Sequence, residues 1–364
     1  MDTHPLLQDR RTFLKTMASA TVGVMVSKPT YAQQAAAPSR LRLGLDNFSV
    51  RAMGWKAPAL LDYAAAQKLD NILISDLDAY ESLEEKHLSE VKTKAAGLGI
   101  QIHAGTWSIC PTSKAFKNKW GSADEHLSLG IRVAKALGSP VLRCVLGTGD
   151  DRKTPGGIEA RIEDTVKVLK AGRNRAVDAG VKIAIENHAG DMQAWELVNL
   201  IEAAGKDFVG ATMDSGNATW ALEDPLTNLE ILGPYVVTTG IRDSMMWEYE
   251  EGAKVQWTAM GEGLVDWKKY FARYAELCPQ APVILEIISG FARPYPCLKD
   301  GFWEAWPKAK AKDFSNWLAL AKRGKEMPSH RSANPQEEQD YQKAELERSI
   351  NYCREKLGLG VRTT

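Results

Sequence analysis

The chain has 364 residues, 44% of them hydrophobic, and its 46 basic side chains are balanced by 46 acidic ones. No surplus of positive charge is available to neutralise phosphates, which argues against sequence-independent binding to nucleic acid unless charge is segregated on one face. No apolar run reaches the roughly 20 residues of a membrane-spanning helix, so an integral membrane protein is excluded. The five Cys lack C-x-x-C spacing, which predicts buried thiols rather than a disulfide framework or a zinc knuckle.

The N-terminal residues 1–32 resemble a twin-arginine export signal. Arg10 and Arg11 precede a weakly apolar stretch over 17–26, and small residues up to Ala32 offer a cleavage site. The alternative is a disordered basic N-terminus. The resemblance implies export of an already folded protein to the periplasm. Because phosphorylated metabolites are scarce there, we expect an unphosphorylated substrate.

Short β-rich apolar runs alternate with amphipathic helical patterns over residues 41–322. In chain order, strands are predicted at Leu41–Leu45, Asn71–Ser75, Ile100–Ala104, Val141–Leu146, Lys182–Ile185, Val209–Met213, Tyr235–Thr239 and Pro282–Leu285. The intervening helices are predicted at Pro58–Lys68, Leu83–Leu98, Ala123–Leu137, Ile158–Ala179, Ala194–Ala204 and Trp267–Leu277, with a short connection at 225–232. Eight such units predict an α/β fold, a (β/α)8 TIM barrel. A Rossmann-type sheet is disfavoured because no Gly-rich turn follows the first strand.

The C-terminal part, residues 323–364, departs from this alternation. A polar connector is predicted first, followed by a charged helix from Glu337 to Lys356. We expect this helical extension to pack on the barrel wall or on a second subunit. In the second case the protein would be a homo-oligomer.

Polar side chains stand at the carboxyl ends of the predicted strands, and these ends meet at one mouth of a parallel barrel. Aligned by their last residues, the strands bring to this mouth Asp46, Asp76, His103, Arg143, Glu186, Asp214 and Glu286. Because clustered carboxylates repel one another unless a cation holds them, Glu186, Asp214 and Glu286 predict one divalent metal ion. Oxygen-rich ligation favours Mn²⁺, Mg²⁺ or Co²⁺, with Zn²⁺ also a candidate. The alternative is a ring of salt bridges to Arg143, Arg242, Arg293 or Lys182.

Five short segments carry a more specific pattern. They are Ile185-Glu186-Asn187-His188, Met213-Asp214-Ser215-Gly216-Asn217, Ile241-Arg242-Asp243-Ser244, the run from Met260 to Asp266, and Leu285-Glu286. Their order resembles that of the xylose-isomerase-like sugar phosphate isomerase/epimerase superfamily, and the likeness covers most of residues 41–322. The resemblance implies a barrel with one divalent metal, bound by a Glu, an Asp, a His and a Glu at strands five to eight.

Three residues match the ligands that the resemblance implies, namely Glu186, Asp214 and Glu286. Two positions depart from the pattern. Gly240 stands where the family has the His at strand seven, and Asn217 stands where a second His is common. The family imidazole is therefore missing from this sequence.

Two His near strand ends could supply an imidazole. His188 lies two residues past Glu186 and would face the same side of an extended strand, and His103 is placed at the end of the third strand. Each is predicted to bind the metal or the substrate. His87 and His126 lie in helical patterns and are predicted to face solvent.

Trp is abundant, with 11 residues, and is concentrated after the predicted strand ends. Eight lie there: Trp55, Trp107, Trp120, Trp220, Trp247, Trp257, Trp303 and Trp306. Because aromatic faces stack on the C–H faces of sugar rings, a Trp-rich mouth predicts a small carbohydrate ligand, with Trp107 and Trp257 as substrate-binding residues. The alternative for each Trp is a small satellite core beneath a loop.

Together these features predict a metal-dependent isomerase or epimerase that abstracts a proton next to a carbonyl. The metal would hold the carbonyl and a neighbouring hydroxyl, and Glu186 and Glu286 would act as base and acid. Substrate oxygens would be bound by His103, His188, Asn217 and Arg242.

Other functions are compatible with parts of this pattern. The same site could serve a keto-glycoside lyase or hydratase, and a barrel without metal could be a non-catalytic periplasmic sugar-binding protein. Cleavage of abasic DNA on a multi-zinc barrel is disfavoured because the chain lacks the additional His ligands and a basic face.

Overall fold

The eight predicted strands form one parallel sheet that closes on itself. The structure is a computed structural model that describes residues 41–360, so the predicted leader, residues 1–32, lies outside the described residues. The barrel strands are β1 Leu43–Asp46, β2 Asn71–Ile74, β3 Gln101–Ser108, β4 Val141–Val145, β5 Lys182–Glu186, β6 Val209–Asp214, β7 Val236–Gly240 and β10 Val283–Leu285. The sheet runs from β10 through β1 to β7. It closes where Ile241 N–H donates to Ile284 O at 2.7 Å and Glu286 N–H donates to Ile241 O at 3.1 Å.

Helices surround the sheet, as the alternating pattern predicts. They are α1 Ala57–Ala66, α2 Glu85–Gly97, α3 Ala123–Leu137, α4 Gly157–Ala179, α5 Ala194–Ala204, α6 Ser215–Trp220, α7 Pro225–Leu232, α8 Trp267–Leu277, α9 Ala311–Ala321 and α10 Pro335–Leu357. The predicted bounds of α3, α5 and α8 are correct. For α3 the reason is local, because Ser122 caps the helix and forms a capping box with Glu125. The (β/α)8 TIM barrel is confirmed.

Three further strands were not predicted. They are β8 Asp243–Tyr249, β9 Gly252–Thr258 and β11 Ala292–Tyr295, and they form a separate antiparallel sheet in the order β11-β9-β8. Trp247 and Trp257, expected in the segment after the seventh strand, lie there in β8 and β9. The sheet packs on α9 through a second apolar cluster that includes Val255 and Trp317. This sheet forms one side of the barrel mouth.

Asp243, at the start of β8, ties the loop before α8 to the barrel. Its buried carboxylate accepts hydrogen bonds from the backbone N–H of Gly261 at 3.1 Å and of Gly263 at 3.0 Å. It also accepts from the N–H of Val265 at 3.4 Å and from Nε1 of Trp267 at 2.7 Å. Two of the segments singled out in the sequence are thus joined by one carboxylate.

We expect Asp243→Asn to lower the free energy of unfolding by about 3 kcal/mol, because the new NH₂ group would face buried N–H donors. Urea unfolding followed by Trp fluorescence measures this loss. Asp266→Asn is the matched control, since Asp266 caps α8 at an exposed position where Asn also serves. Equal losses in the two variants would contradict the role given to Asp243.

The C-terminal helix α10 packs on the barrel. Leu346, Ile350 and Cys353 are buried against the main core. The helix also holds the 3-10 segment Asn47–Met53, because Ala52 N–H donates to Gln342 Oε1 at 2.9 Å. That segment reaches the barrel mouth.

All five Cys are buried free thiols, as predicted. Among residues 41–360, no helix combines the length and apolar character needed to cross a membrane.

Candidate active site

The structure brings the three predicted carboxylates together at the mouth of the barrel. Glu186 ends β5, Asp214 ends β6, and Glu286 follows β10, so the parallel strands deliver all three to the same edge. One oxygen of each lies within 4.8 Å of the others, and all three side chains are buried. We call these three residues the acid cluster. By its composition the cluster could hold a metal ion.

Two buried arginines pair with the acid cluster. Arg143, in β4, donates from Nε to Glu186 Oε2 at 2.5 Å. Arg242, just after β7, donates from Nη2 to Asp214 Oδ2 and to Glu286 Oε2, the latter at 3.1 Å. Burial disfavours the charged guanidinium, but attraction to Asp214 and Glu286 outweighs it and raises the pKa of Arg242. Both arginines therefore remain cationic, in the arrangement that the salt-bridge alternative describes.

The remaining oxygens of the cluster also accept hydrogen bonds from the chain. Asn217 donates from Nδ2 to Glu186 Oε1 at 3.1 Å and from its backbone N–H to Asp214 Oδ1 at 2.8 Å. Residue 240 points at the cluster, because a Cβ there would lie 3.0 Å from Glu286 Oε2 and 3.1 Å from Asp214 Oδ2. As Gly, it offers no ligand. In this arrangement the residues fit a guanidinium rather than a metal ion.

A cavity of about 530 Å³ opens above the cluster. Its base is formed by Arg143, His188, Asn217, Arg242 and Glu286. Glu186 and Asp214 do not line it, since they lie beneath the arginines and Asn217. Of the three acids, only Glu286 therefore reaches the space where a ligand would bind.

Aromatic side chains form the walls of this cavity. Trp220 and Trp257 stack on each other with ring centroids 3.7 Å apart, and Phe291 meets both edge-on. Trp107 also lines the cavity and meets His188 edge-on at 5.2 Å. The sequence-predicted Trp107 and Trp257 are thus brought together. Trp303 and Trp306 belong instead to the second apolar cluster, as the satellite-core alternative describes.

His188 has a defined tautomer. Its Nδ1 lies 2.6 Å from the carbonyl oxygen of Gly147, which can only accept, so Nδ1 carries the proton. Burial lowers the pKa of His188 despite the nearby Glu186. The neutral ring therefore presents Nε2 to the cavity as a hydrogen-bond acceptor.

His126 is a cavity residue that the sequence interpretation missed. Its predicted exposure is wrong, because the side chain is buried and its Nε2 lies 2.5 Å from Thr106 Oγ1. Its Nδ1 is buried without a partner among the described residues. The signal was present in the helical spacing, since His126 shares the inner face of α3 with Leu127 and Gly130.

His103 lies inside the barrel rather than at its mouth. The strand was predicted to end at Ala104, but β3 continues to Ser108. His103 therefore lies well before the carboxyl end of the strand, inside the barrel. Its Nδ1 lies 2.8 Å from Thr238 Oγ1, and it does not line the cavity. The placement expected for His103 is corrected accordingly.

The buried His103 should make stability depend on pH. Burial, with a smaller effect of Arg42, lowers its pKa from 6.5 to about 3. Between these values the unfolded chain binds more protons, so stability is lost as pH falls below about 6.5. We expect His103→Gln to reduce the slope of unfolding free energy against pH by roughly 1 kcal/mol per pH unit. Urea unfolding of both proteins between pH 4 and 7 tests this, and parallel curves would contradict it.

Comparison with known proteins agrees with this architecture. The family model of the xylose isomerase-like TIM barrel matches residues 61–319. A 3-oxo-isoapionate decarboxylase of Pectobacterium atrosepticum is 22% identical over 232 residues, 63% of this chain and 76% of that protein. A solved L-ribulose 3-epimerase matches with a TM-score of 0.56 and 15% identity, covering 89% of this chain and 99% of that one.

A second solved structure is the IOLI protein with a bound zinc atom. It matches with a TM-score of 0.52 and 16% identity, covering 78% of this chain and 100% of that one. At these identities the solved structures show a shared fold. The family match spans well over half of the chain and includes seven of the eight barrel strands. The chain belongs to the xylose isomerase-like TIM barrel family.

Proposed function

We propose that the protein is an enzyme of the isomerase or epimerase type that moves a proton on the carbon next to the carbonyl of an unphosphorylated sugar or keto-sugar. The observation that carries the proposal is the base of the cavity, where the Glu286 carboxylate, the Arg242 guanidinium and the His188 imidazole face the same space. The aromatic walls suit the C–H faces of a sugar ring. The epimerase among the similar structures and the export signal predicted for residues 1–32 support the same substrate class.

Each group at the base has a defined chemical capacity. Burial opposes ionisation of Glu286, but Arg242 and Arg143 outweigh it and lower its pKa, so its carboxylate is the base form at neutral pH. It takes the proton from carbon, and the electron pair forms an enediolate. Arg242 binds the oxygen on which negative charge develops. His188 Nε2 accepts a hydrogen bond from a substrate hydroxyl.

In an isomerisation, Glu286 returns its proton to the neighbouring carbon. In an epimerisation, a solvent proton is added to the opposite face of the same carbon, and Glu286 releases the proton it took to solvent. Glu186 was predicted as the second catalytic acid. Because it lies beneath Arg143 and does not line the cavity, we assign it instead to holding Arg143 in place. No step is routed through a metal ion, since N–H donors of this chain meet the oxygens of the acid cluster.

The direct test is exchange of carbon-bound hydrogen with solvent. Wild-type protein is incubated in D₂O with a panel of aldoses, ketoses and keto-glycosides, and loss of C–H signals is followed by proton NMR. We expect exchange at the carbon next to the carbonyl in at least one substrate class. Sugars that bind without any exchange or turnover would favour the non-catalytic sugar-binding barrel instead.

A second candidate is a lyase that uses the same cavity. The similarity to a decarboxylase favours it, because loss of CO₂ from a keto-sugar acid also leaves an enediolate. The same stabilisation of negative charge by Arg242 would serve it, as it would the elimination reaction of a keto-glycoside lyase. The NMR panel separates these outcomes, since a lyase releases a smaller or unsaturated product whereas an epimerase yields an isomer of equal mass.

A further inference from the structure

Arg242 occupies the centre of the acid cluster. We infer that its guanidinium is the resident cation of this barrel, standing where the family resemblance implies a divalent metal, and that its Nη1 group binds a substrate oxygen. The first half concerns the protein alone. The second half rests on the proposed function.

The chain makes room for this side chain by two glycines. A Cβ at residue 216 would lie 2.4 Å from Arg242 Cγ and 2.6 Å from its Nε, so any larger residue would displace the arginine. At residue 240, an imidazole would project among the same carboxylate oxygens that Arg242 now contacts. The absence of a side chain at both positions leaves the space to the guanidinium.

The guanidinium is also held from the side. Its central carbon lies 3.9 Å from the ring centroid of Trp257. That ring is itself fixed, because its Nε1 donates to the carbonyl oxygen of Gly216 at 2.9 Å. Stacking on Trp adds a favourable cation–π interaction to the two carboxylate pairs. Arg242 is thus a rigid part of the site.

The donors of Arg242 divide into two groups. Nε and Nη2 donate to the acid cluster. Nη1 is buried and has no partner within residues 41–360, although Arg242 lines the cavity. A buried donor without a partner is costly unless a ligand supplies an acceptor. The carbonyl or enediolate oxygen of the substrate is such an acceptor.

Metal binding tests the first half without any substrate. Wild-type protein is incubated with Mn²⁺, Co²⁺ or Zn²⁺, separated from free metal and analysed by elemental mass spectrometry. We expect no retained ion and no rise in Tm. The double variant Gly240→His with Arg242→Ala should retain one Co²⁺ per chain, show its visible absorption bands and gain about 3 °C or more in Tm.

The opposite result is equally clear. One ion retained by the wild type and lost in Asp214→Asn would overturn the inference, whether or not the double variant folds. Absence of metal from the wild type supports it even if no sugar in the panel reacts, so failure of the proposed function is recognised separately.

Arg242→Lys tests the second half. Lys keeps the positive charge, but its single nitrogen cannot bridge Asp214 and Glu286 and also reach the cavity as the planar fork does. We expect a dissociation constant at least about tenfold higher for the sugar that exchanges in the panel, measured at a temperature at which circular dichroism shows the variant to be folded. Unchanged affinity would overturn this half.

Discussion

Glu286→Gln is expected to lower the rate of solvent exchange into the substrate about 10³-fold, because it removes the only carboxylate of the acid cluster that lines the cavity. Gln has the same shape, and its amide oxygen can still accept the hydrogen bond from Arg242 Nη2. The fold and the position of Arg242 should therefore persist while the basic oxygen is lost. Exchange measured by NMR at equal protein concentration gives the ratio.

Glu90→Gln is the matched control for this experiment. It makes the same chemical change at an exposed position on α2, and we expect exchange within twofold of the wild type, since surface changes of this kind have small effects. Substrate affinity of Glu286→Gln, measured by calorimetry, should change much less than the rate. Near wild-type exchange in Glu286→Gln would remove Glu286 from its role as the base.

Arg143→Met is expected to lower the free energy of unfolding by about 3–5 kcal/mol, because it leaves the buried Glu186 carboxylate without its cation. Both partners are almost fully buried, with 4% and 2% of their side chains exposed. Within residues 41–360, Asn217 would then be the one remaining donor to the Glu186 carboxylate, through Nδ2. Urea unfolding monitored by circular dichroism measures the loss.

A double-mutant cycle separates the pair from loss of packing. Glu186→Gln removes the charge that Arg143 neutralises. Adding it to Arg143→Met should therefore recover about 2 kcal/mol of the lost free energy of unfolding. The exposed pair Arg273–Glu230 provides the comparison, and there we expect a coupling of at most about 1 kcal/mol. If Arg143→Met costs no more than Arg273→Met, Arg143 does not act as the counter-ion of Glu186.

Much of the barrel could be predicted because its signals are local. A strand in a parallel barrel is apolar on both faces, so β4 and β6 appear as short continuous apolar runs. Helix limits were accurate where caps define them, as at Ser122 before α3. Strand β11 was missed because it pairs with β9 from far along the chain, and such pairing leaves no local periodicity. The β8–β9 hairpin is local, but its two turn residues, Glu250 and Glu251, lack the Asn-Gly type of hairpin signal.

The acid cluster could also be predicted, since the carboxyl ends of parallel strands must meet at one mouth. The partners of these carboxylates could not be predicted from the sequence. The reach of Arg143 and Arg242 depends on the space at Gly216 and Gly240 and on the ring of Trp257. These contacts join residues that are far apart in sequence.

The fold, the place of the mouth and the acids around it could be inferred from local sequence, because period, caps and strand ends are properties of neighbouring residues. Which of these groups face a ligand depends on contacts between distant elements. The tertiary structure placed Glu186 and Asp214 beneath the arginines, His103 inside the barrel and His126 in the cavity wall. Burial and charge pairing depend on distances between elements, and these distances are set only when the barrel closes.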